Sequence, residues 1–532
     1  MLPKRTTGIL RYRRGSGQRR AHHFYSGMSF NSDALLGLGF EVLSNINHDY
    51  LAATAATQLR PQIPFRCLDM TTAPLAQMEW AEIVAIDTEC TAQSYANGVK
   101  QASRYYDYDI FGQAMDTAKH RQSRATLLDI ARVAEEMHPL VIAGENVVEI
   151  VDDPNWPLVR TRLQNAGYCV YLVSVNAAYC NRVVAGTEDV PQSRDRVMIM
   201  AVDEGLPQPD LSVTSLCWCS WCEREVLALQ TWKLHTKRSR KGAGKYNSDY
   251  FFACPECGRR AVPFIRPARS AINFDLLTTR IGDRAALGKA PLNPKTMRRI
   301  EEGHRIHILG GDEAAYLVEM TRTGTAYPLV APLHTIRTSG QHHLLVQRSD
   351  AGFVYSSYRH GQVLSLDDRL PTIPTRDQLA VALAPRQGFV IYQNTRDDAH
   401  SALDEPFGVI PRRNRLMLAD AGDVASIRVE DLGTRYLTAE ELWDGQGGDP
   451  RHKQKLRSIE INVKEELAWQ ERMNIPPEER RKGRKPNNTD QVTWERGYRK
   501  IAEDELKDLI GRGSPPRMTA TVIEQAISTL YT

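Results

Sequence analysis

Between about residues 21 and 205, short apolar runs alternate with stretches whose apolar residues recur at helical spacing. Glu41–Asn47, Ile83–Asp87, Leu140–Ala143, Val170–Val175 and Val197–Val202 read as strands, and Tyr50–Leu59 and Ala125–Met137 read as helices between them. Strands separated by helices predict an α/β fold with a doubly wound, mostly parallel sheet. Ligands of such sheets gather at the carboxyl ends of the strands. The polar residues of interest follow the apolar runs, where that geometry would place them.

Near residue 210 the chain shifts to a block rich in Cys, Trp, Lys and Arg that ends near 268. Residues 269–440 predict short strands and turns, with hairpin-like stretches at Gly352–Tyr358 and Leu379–Leu383. Residues 445–490 are polar and rich in Gly and Pro, with charge runs such as Glu478–Lys485, and predict a long insertion or linker. Thr519–Leu530 has helical spacing and closes the chain. The first 20 residues carry Lys4, Arg5, Arg11, Arg13, Arg14, Arg19 and Arg20 with no acid, the pattern of a basic arm or a solvated tail. These shifts divide the chain at 1–20, 21–210, 211–268, 269–440, 441–510 and 511–532, without an internal repeat.

Composition narrows the class without naming a function. Of 532 residues, 42% are hydrophobic and 25% charged, an ordinary globular balance. No apolar run reaches the roughly 18 residues of a membrane helix, and no apolar stretch follows the basic N-terminus as in a secretory signal. A cytoplasmic protein with no membrane partner is expected. A net charge of +4 is too small to name a partner. Nine cysteines are few and odd in number, which fits a reducing compartment. Cys67, Cys90, Cys169 and Cys180 are scattered, while Cys217, Cys219, Cys222, Cys254 and Cys257 crowd one region.

In Ile83-Val-Ala-Ile-Asp-Thr-Glu-Cys90, an apolar strand runs into a loop holding a cysteine. The end of a parallel strand can lower a thiol pKa and expose it, as a nucleophile requires; a packed cysteine is the commoner outcome. Val141-Ile-Ala-Gly-Glu-Asn-Val147 places Glu145 and Asn146 at another strand end. Arg194 and Arg196 share one face at period two just before the run Val197–Val202. The cysteine block contains two Cys-x-x-Cys pairs, a spacing that lets thiolates on two tight turns complete a zinc tetrahedron. Cys219, Cys222, Cys254 and Cys257 are the preferred Zn2+ ligands, with Cys217 competing for the first place. An isolated redox pair would not come twice. Between the pairs lie Lys233, His235, Lys237, Arg238, Arg240, Lys241 and Lys245, with Trp232 and Tyr246. Such a loop suits contact with phosphates or a groove, or is simply solvated.

Taken in order, Cys90, Glu145-Asn146-Val147 and Gln192-x-Arg194-x-Arg196 resemble the motifs of the DNA cytosine-5 methyltransferases, and Glu89-Cys90-Thr91 resembles a phage and bacterial subgroup. Ser123-Arg-Ala-Thr126, Asn176-Ala-Ala178, Ile272-Asn-Phe-Asp275, Ile281-Gly-Asp283, Pro291–Thr296, Pro332–Thr338 and Arg435–Glu440 are similar to further family stretches. The likeness spans about residues 21–440 and the closing helix. It implies a Rossmann-like class I methyltransferase domain at 21–210, a zinc-ribbon insert, a smaller mixed α+β recognition domain, and a C-terminal helix returning to the catalytic sheet. It further implies methyl transfer from S-adenosylmethionine to C5 of a flipped cytosine in double-stranded DNA, by a chain acting as a monomer in a bacterial or phage-infected cell, as in restriction–modification or nucleoid marking.

The resemblance assigns covalent attack to Cys90 and recognition or protonation at N3 to Glu145. It assigns loop orientation to Asn146 and contacts with base O2 or phosphate to Arg194 and Arg196. On the cofactor side, His23-Phe-Tyr-Ser-Gly-Met-Ser-Phe30 stands where the family carries Asp-Leu-Phe-x-Gly-x-Gly-Gly; His23 replaces the acid, and Ser29 and Phe30 replace two glycines. Tyr25, Ser26, Gly27, Asn47, His48 and Asp69 are the cofactor-binding candidates, with Asn47 toward the ribose and Asp69 toward the adenine amine. The family's closing Gly-Asn-x-Val-x-Pro-Pro becomes Gly511-Arg-Gly-Ser-Pro-Pro516, which puts the Arg512 cation near the methionine moiety. His342 and His343 lack a third ligand at useful spacing and read as loop residues or DNA contacts. The altered loop leaves two other readings: an enzyme adding a different group to C5, and a DNA-binding relative without the cofactor. The retained thiol–carboxylate–arginine set argues against the second.

Overall fold

The structure is a computed structural model that describes residues 19–89, 107–108, 114–115, 118–234, 236, 241–273, 276, 278–305, 315–319, 325–336, 343–348, 428–473 and 497–528, with short strands between 353 and 419. The chain forms two compact units. One comprises Met1–Asn273, Val330–Gly340 and Leu437–Thr532; the other comprises Phe274–Leu329 and Gln341–Tyr436.

The first unit is built on a seven-stranded sheet of β1 (Arg19–Phe24), β2 (Phe40–Asn47), β3 (Phe65–Cys67), β4 (Ile83–Ile86), β5 (Val141–Asn146), β6 (Tyr168–Asn176) and β7 (Asp195–Asp203). Its spatial order is β3-β2-β1-β4-β5-β7-β6. Strands β3, β2, β1, β4 and β5 pair in parallel, and β7 runs antiparallel to both neighbours. The order reverses beside β1 and β4, the crevice where doubly wound sheets bind ligands. This is the α/β, mostly parallel sheet that the alternating pattern predicts. One stretch of the sheet differs from that reading. Arg19 and Arg20, assigned to a basic arm, begin β1, because Arg20 is held by Glu79 (2.7 Å) and its N–H by Glu82 (2.7 Å). Residues 1–18 lie outside the described residues.

Helices cover both faces of this sheet. On one face, α3 (Ala118–Glu136) and α4 (Trp156–Asn165) bury Leu127, Ile130, Val133, Val159 and Leu163 against Phe24, Ile46, Val84, Ile142 and Ile199. On the other, α1 (Phe30–Gly37) and α8 (Pro516–Ser528) bury Leu35, Met518, Val522 and Ile523 against Val42, Ile83, Val141 and Met198. The closing helix therefore returns to the sheet. Each such side chain taken out of water stabilises by about 1.5–3 kcal/mol. Helix α2 (Tyr50–Leu59) follows β2, and Asp49 caps it by accepting from the N–H groups of Leu51 (2.9 Å) and Ala52 (3.2 Å).

Strands β8 (Thr214–Cys219), β9 (Arg224–Trp232), β10 (Tyr250–Ala253) and β11 (Arg260–Pro263) close into a small barrel in the same unit. The stretch expected as a polar insertion or linker carries structure in its described parts: α5 (Ala439–Gly445), β12 (Glu460–Asn462), α6 (Val463–Arg472), β13 (Tyr498–Lys500) and α7 (Glu503–Arg512). Trp443 is fully buried against Phe30, ring centroids 4.6 Å apart, and Leu456, Ile459, Ile461, Leu509 and Ile510 are buried too. Charge density misled the sequence reading because the charges neutralise one another internally. Arg499 makes paired contacts with Glu466 and Glu505, and Arg457 pairs with Glu440 and Glu503. The run Glu478–Lys485 itself lies outside the described residues.

The second unit contains a five-stranded antiparallel sheet in the order Thr279–Arg280, Leu432–Tyr436, His343–Arg348, Ala315–Glu319, Ala326–Pro328. Helix Pro294–Gly303 packs Ile300 against Tyr316, Val318, Leu344 and Val346. Phe353–Ser356 and Leu379–Ala382, the expected hairpin stretches, pair with each other, and Phe353–Ser356 also pairs with Val363–Ser365.

Candidate active site and cysteine centre

The loop after β1 turns into the left-handed region at Tyr25 (φ 52°), Gly27 (φ 50°) and Ser29 (φ 66°). Glycine adopts that region freely, whereas a Cβ there costs about 1–2 kcal/mol. The chain keeps glycine at one position and holds a tyrosine and a serine in the same geometry. Two buried networks do this. Ser29 Oγ accepts from Asn45 Nδ2 (2.7 Å), Asn45 Oδ1 accepts from the Ser32 hydroxyl (2.9 Å), and Ser32 Oγ lies 2.9 Å from His23 Nδ1. His23 Nε2 then reaches Asp87 Oδ2 (3.0 Å), and Asn31 Nδ2 donates to both Asp87 oxygens (3.0 and 2.8 Å). On the other side the Tyr25 hydroxyl donates to Asp129 Oδ2 (2.6 Å), whose Oδ1 accepts from Arg132 Nη1 (2.9 Å). Burial pushes the Tyr25 pKa upward, with Asp129 adding to the shift, and burial also raises the Asp129 carboxyl. Arg132 continues to the carbonyls of Met70 (2.7 Å) and Ala73, so this network joins the loop to the turn after β3.

The other cofactor-side candidates stand at neighbouring strand ends. A Cβ at Gly27 would meet nothing within 4 Å, so the backbone there is open to close approach. Asn47 closes β2, and its Oδ1 accepts from the Asp49 N–H (2.8 Å). The His48 carbonyl accepts from the Trp469 indole (2.7 Å), and His48 Nε2 lies 4.0 Å from Glu89 Oε1. Asp69 Oδ1 accepts from the N–H and hydroxyl of Thr71 (both 2.9 Å), starting a helical turn. Ser26 donates its N–H to the Ile46 carbonyl (3.1 Å), tying the first loop to β2. Arg512, expected near a methionine moiety, donates to Asp49 Oδ2 (2.7 Å) and pairs with Asp508, which leaves little unbalanced charge.

On the catalytic side, β5 ends in Glu145 and Asn146. Glu145 Oε1 lies 2.5 Å from Arg196 Nε, with the side chains 7% and 9% exposed, so the two form a buried ion pair. Asn146 Nδ2 donates to Thr88 Oγ1 (2.8 Å) and the Thr88 carbonyl (3.3 Å), while its Oδ1 accepts from the Val147 N–H (2.7 Å). The Glu89 N–H donates to Thr126 Oγ1 (3.2 Å). The backbone leading to Cys90 is therefore held from β5 and from α3. Cys90 itself lies outside the described residues.

Arg194 is held by the chain itself. Its Nη1 donates to the carbonyls of Ile336 (3.4 Å) and Gly511 (3.3 Å), and it is buried. Gln192 does similar work: its Nε2 donates to Gln446 Oε1 (3.1 Å), and Gln446 holds the carbonyls of Ile510 (2.8 Å) and Gly513 (3.1 Å). The chain segments that return to the sheet contact Gln192 and Arg194, whereas Arg196 pairs with Glu145. Between them Asp195 faces the barrel, accepting from Asn176 Nδ2 (2.9 Å) and the Tyr246 N–H (3.1 Å), and burial raises its pKa.

The cysteines of the two knuckles meet. Cys219 ends β8 and Cys222 lies in the turn to β9, Cys254 and Cys257 lie between β10 and β11, and the four Sγ atoms fall within 4.8 Å of one another. The Cys219–Cys257 and Cys222–Cys254 separations are 3.6 and 3.9 Å. Thiolates 2.3 Å from a central zinc would stand about 3.8 Å apart at the edges of a tetrahedron. Cys217 falls outside this group; its thiol contacts the Ser215 carbonyl (3.4 Å) inside the barrel. The described lysines of the basic loop all have protein acceptors: Lys233 on the Asn247 carbonyl (2.5 Å), Lys245 on Glu149 (2.8 Å) and Lys241 on Asp152. His235, Lys237, Arg238, Arg240 and His342 lie outside the described residues. His343 is buried, its Nδ1 3.0 Å from the Tyr327 hydroxyl, so it is a core histidine.

Residues 107–237, which carry Glu145, Asn146, Arg194 and Arg196, match the model of the family described as C-5 cytosine-specific DNA methylase. The match covers about a quarter of the chain and is a likeness of that stretch to the family. The chain is similar to the Dnmt2 methyltransferase of Schizosaccharomyces pombe at 10% identity and TM-score 0.44, covering 97% of this chain and 100% of that one. It is similar to the Entamoeba histolytica methyltransferase EhMeth at 9% identity and TM-score 0.43, covering 97% and 99%. A putative DNA modification methyltransferase of an Escherichia coli prophage matches at 14% identity and TM-score 0.28, covering 36% of this chain and 49% of that one. No curated protein matches the chain. At these scores the solved structures carry no argument about this chain.

His23, Asp87, Thr88, Thr126 and Asp129 are site residues that sequence reasoning did not single out for a role. The one visible signal was His23 in the place of an acid. The compensating Asp87 comes from a different strand, and a linear pattern does not pair the two.

Proposed function

We propose that this chain transfers a methyl group from S-adenosylmethionine to C5 of cytosine in double-stranded DNA, through a covalent bond between Cys90 and C6. The observation that carries the reading is the buried Glu145–Arg196 pair beside a loop that Asn146 and Thr126 hold by its backbone. Cytosine C5 is a poor nucleophile until a thiolate adds at C6, which makes C5 enamine-like. Glu145 is the group that holds or protonates N3 as charge flows into the ring. Arg196 keeps that carboxylate in place and stabilises the developing charge, as a preorganised cation does in a site screened from water. After C5 gains the methyl group, a base removes the C5 proton and the C6–S bond breaks to return the Cys90 thiolate. The target base must leave the stack for the thiol to reach its ring face.

S-adenosylmethionine supplies the electrophilic methyl group. The open backbone at Gly27 and the polar ends of β2 and β3, Asn47, His48 and Asp69, fit an adenosyl ligand. Zn2+ fits Cys219, Cys222, Cys254 and Cys257, where it would fasten the two knuckles of the barrel. Arg194 holds backbone carbonyls, which supports a role in shaping the site and not in touching the base.

The reading is tested by nucleoside mass spectrometry on DNA from cells expressing the chain or Cys90→Ala. 5-Methylcytosine with the intact chain alone is expected. Equal methylation with Cys90→Ala refutes the covalent route, and a different cytosine product refutes the methyl donor.

A further inference from the structure

We infer that His23 is a positioning residue that couples the cofactor loop to the catalytic loop; the inference rests on the function proposed above. His23 sits next to the end of β1, whose continuation is the loop Tyr25–Ser29. Asp87 directly follows β4, three positions before Cys90. β1 and β4 are neighbours, with His23 in register with Ala85, so one imidazole spans from one loop to the other.

Donor and acceptor accounting fixes the nature of the link. Asn45 Nδ2 donates to Ser29, so its Oδ1 is the acceptor of the Ser32 hydroxyl proton. Ser32 has one such proton, and its oxygen must therefore accept from His23 Nδ1. The Asp87 carboxylate, already accepting two contacts from Asn31, accepts from Nε2 as well. His23 thus meets a serine hydroxyl at one ring nitrogen and a carboxylate at the other, with no exposure of its side chain. A hydrogen bond to a carboxylate is stronger than one between neutral groups.

The consequence is mechanical. Asp87-Thr88-Glu89 is held from β1 and α1 through Asp87, from β5 through Thr88, and from α3 through Glu89. The first of these holds runs back, through Ser32 and Asn45, to the left-handed Ser29 of the cofactor loop. The geometry of a filled cofactor loop is then relayed to the residues that present Cys90.

The test uses two amides of different reach. The amide of His23→Asn stands near Nδ1 and keeps the Ser32 contact; that of His23→Gln stands near Nε2 and keeps the Asp87 contact. With the full chain and a cytosine-containing duplex, His23→Asn should lower kcat by about tenfold to a hundredfold. Its S-adenosylmethionine affinity by calorimetry should change little, and His23→Gln, which cuts the link on its Ser32 side, should lower kcat likewise. A wild-type kcat in either variant overturns the link. If His23→Asn shows no cooperative melting transition, Asp87→Asn takes its place; it keeps the shape and removes the charge, and a wild-type rate there overturns the proposal. If the wild-type chain neither binds S-adenosylmethionine nor methylates, the underlying function fails, an outcome distinct from failure of the link alone.

Discussion

Replacing Arg196 with methionine should expose how much the structure depends on the Glu145–Arg196 pair. The partners are 2.5 Å apart with side chains 7% and 9% exposed, so solvent does little to screen them. Removing one member of a buried pair leaves the other charged and unpaired, typically at a cost of about 3–5 kcal/mol. Arg196 Nη1 also donates to the Asp195 carbonyl (3.0 Å), which adds about 1 kcal/mol to the same variant. Glu145→Gln keeps the shape but strands the guanidinium, and should fall in the lower part of that range. The double variant Glu145→Gln/Arg196→Met strands neither charge. Urea unfolding followed by tryptophan fluorescence gives the three free energies, and the double variant should be more stable than the sum of the singles by about 2 kcal/mol. Activity should not follow: all three variants should be nearly inactive, because residues that act as a unit are not additive in rate. Additive destabilisation within about 0.5 kcal/mol would refute the coupling. Methylation restored along with stability in the double variant would refute the assignment of both residues to the reaction.

Cys219→Ala should lose stoichiometric zinc, measured by elemental analysis of the purified chain, and Cys217→Ala should keep it; the reverse outcome would exchange the two ligand assignments. Asp195→Asn carries a pH signature. Burial raises the Asp195 pKa in the folded state, so its contribution to stability is present below the ordinary carboxylate range and is lost as pH rises through the folded pKa. The melting temperature of the wild type relative to Asp195→Asn should therefore fall between mildly acidic and neutral pH. A difference that does not change with pH would rule out the buried carboxylate as its source.

Much of the site was legible in the sequence because strand ends are legible. Apolar runs that stop at a polar residue mark the carboxyl edge of a parallel sheet, and Asn47, Asp69, Glu145 and Asn146 stand where that rule puts them. The two Cys-x-x-Cys pairs carried their own geometry, since each knuckle is local and only the meeting of the two is tertiary. Arg194 shows the limit. It lies between two strands, and its partners include the carbonyls of Ile336 and Gly511, far away in the chain. The segment before α8 shows a second limit: its charges read as solvated, yet Arg499 is buried between Glu466 and Glu505.

The sequence by itself determined the alternation of strands and helices, the order of the strand-end residues and the cysteine pairs, because backbone periodicity and knuckle spacing act over a few residues. Tertiary structure alone decided which polar groups satisfy one another. It set His23 against Asp87, Tyr25 against Asp129 and Arg512 against Asp49. A buried charge or hydroxyl must find a partner wherever the fold brings one, and distance along the chain places no condition on that choice.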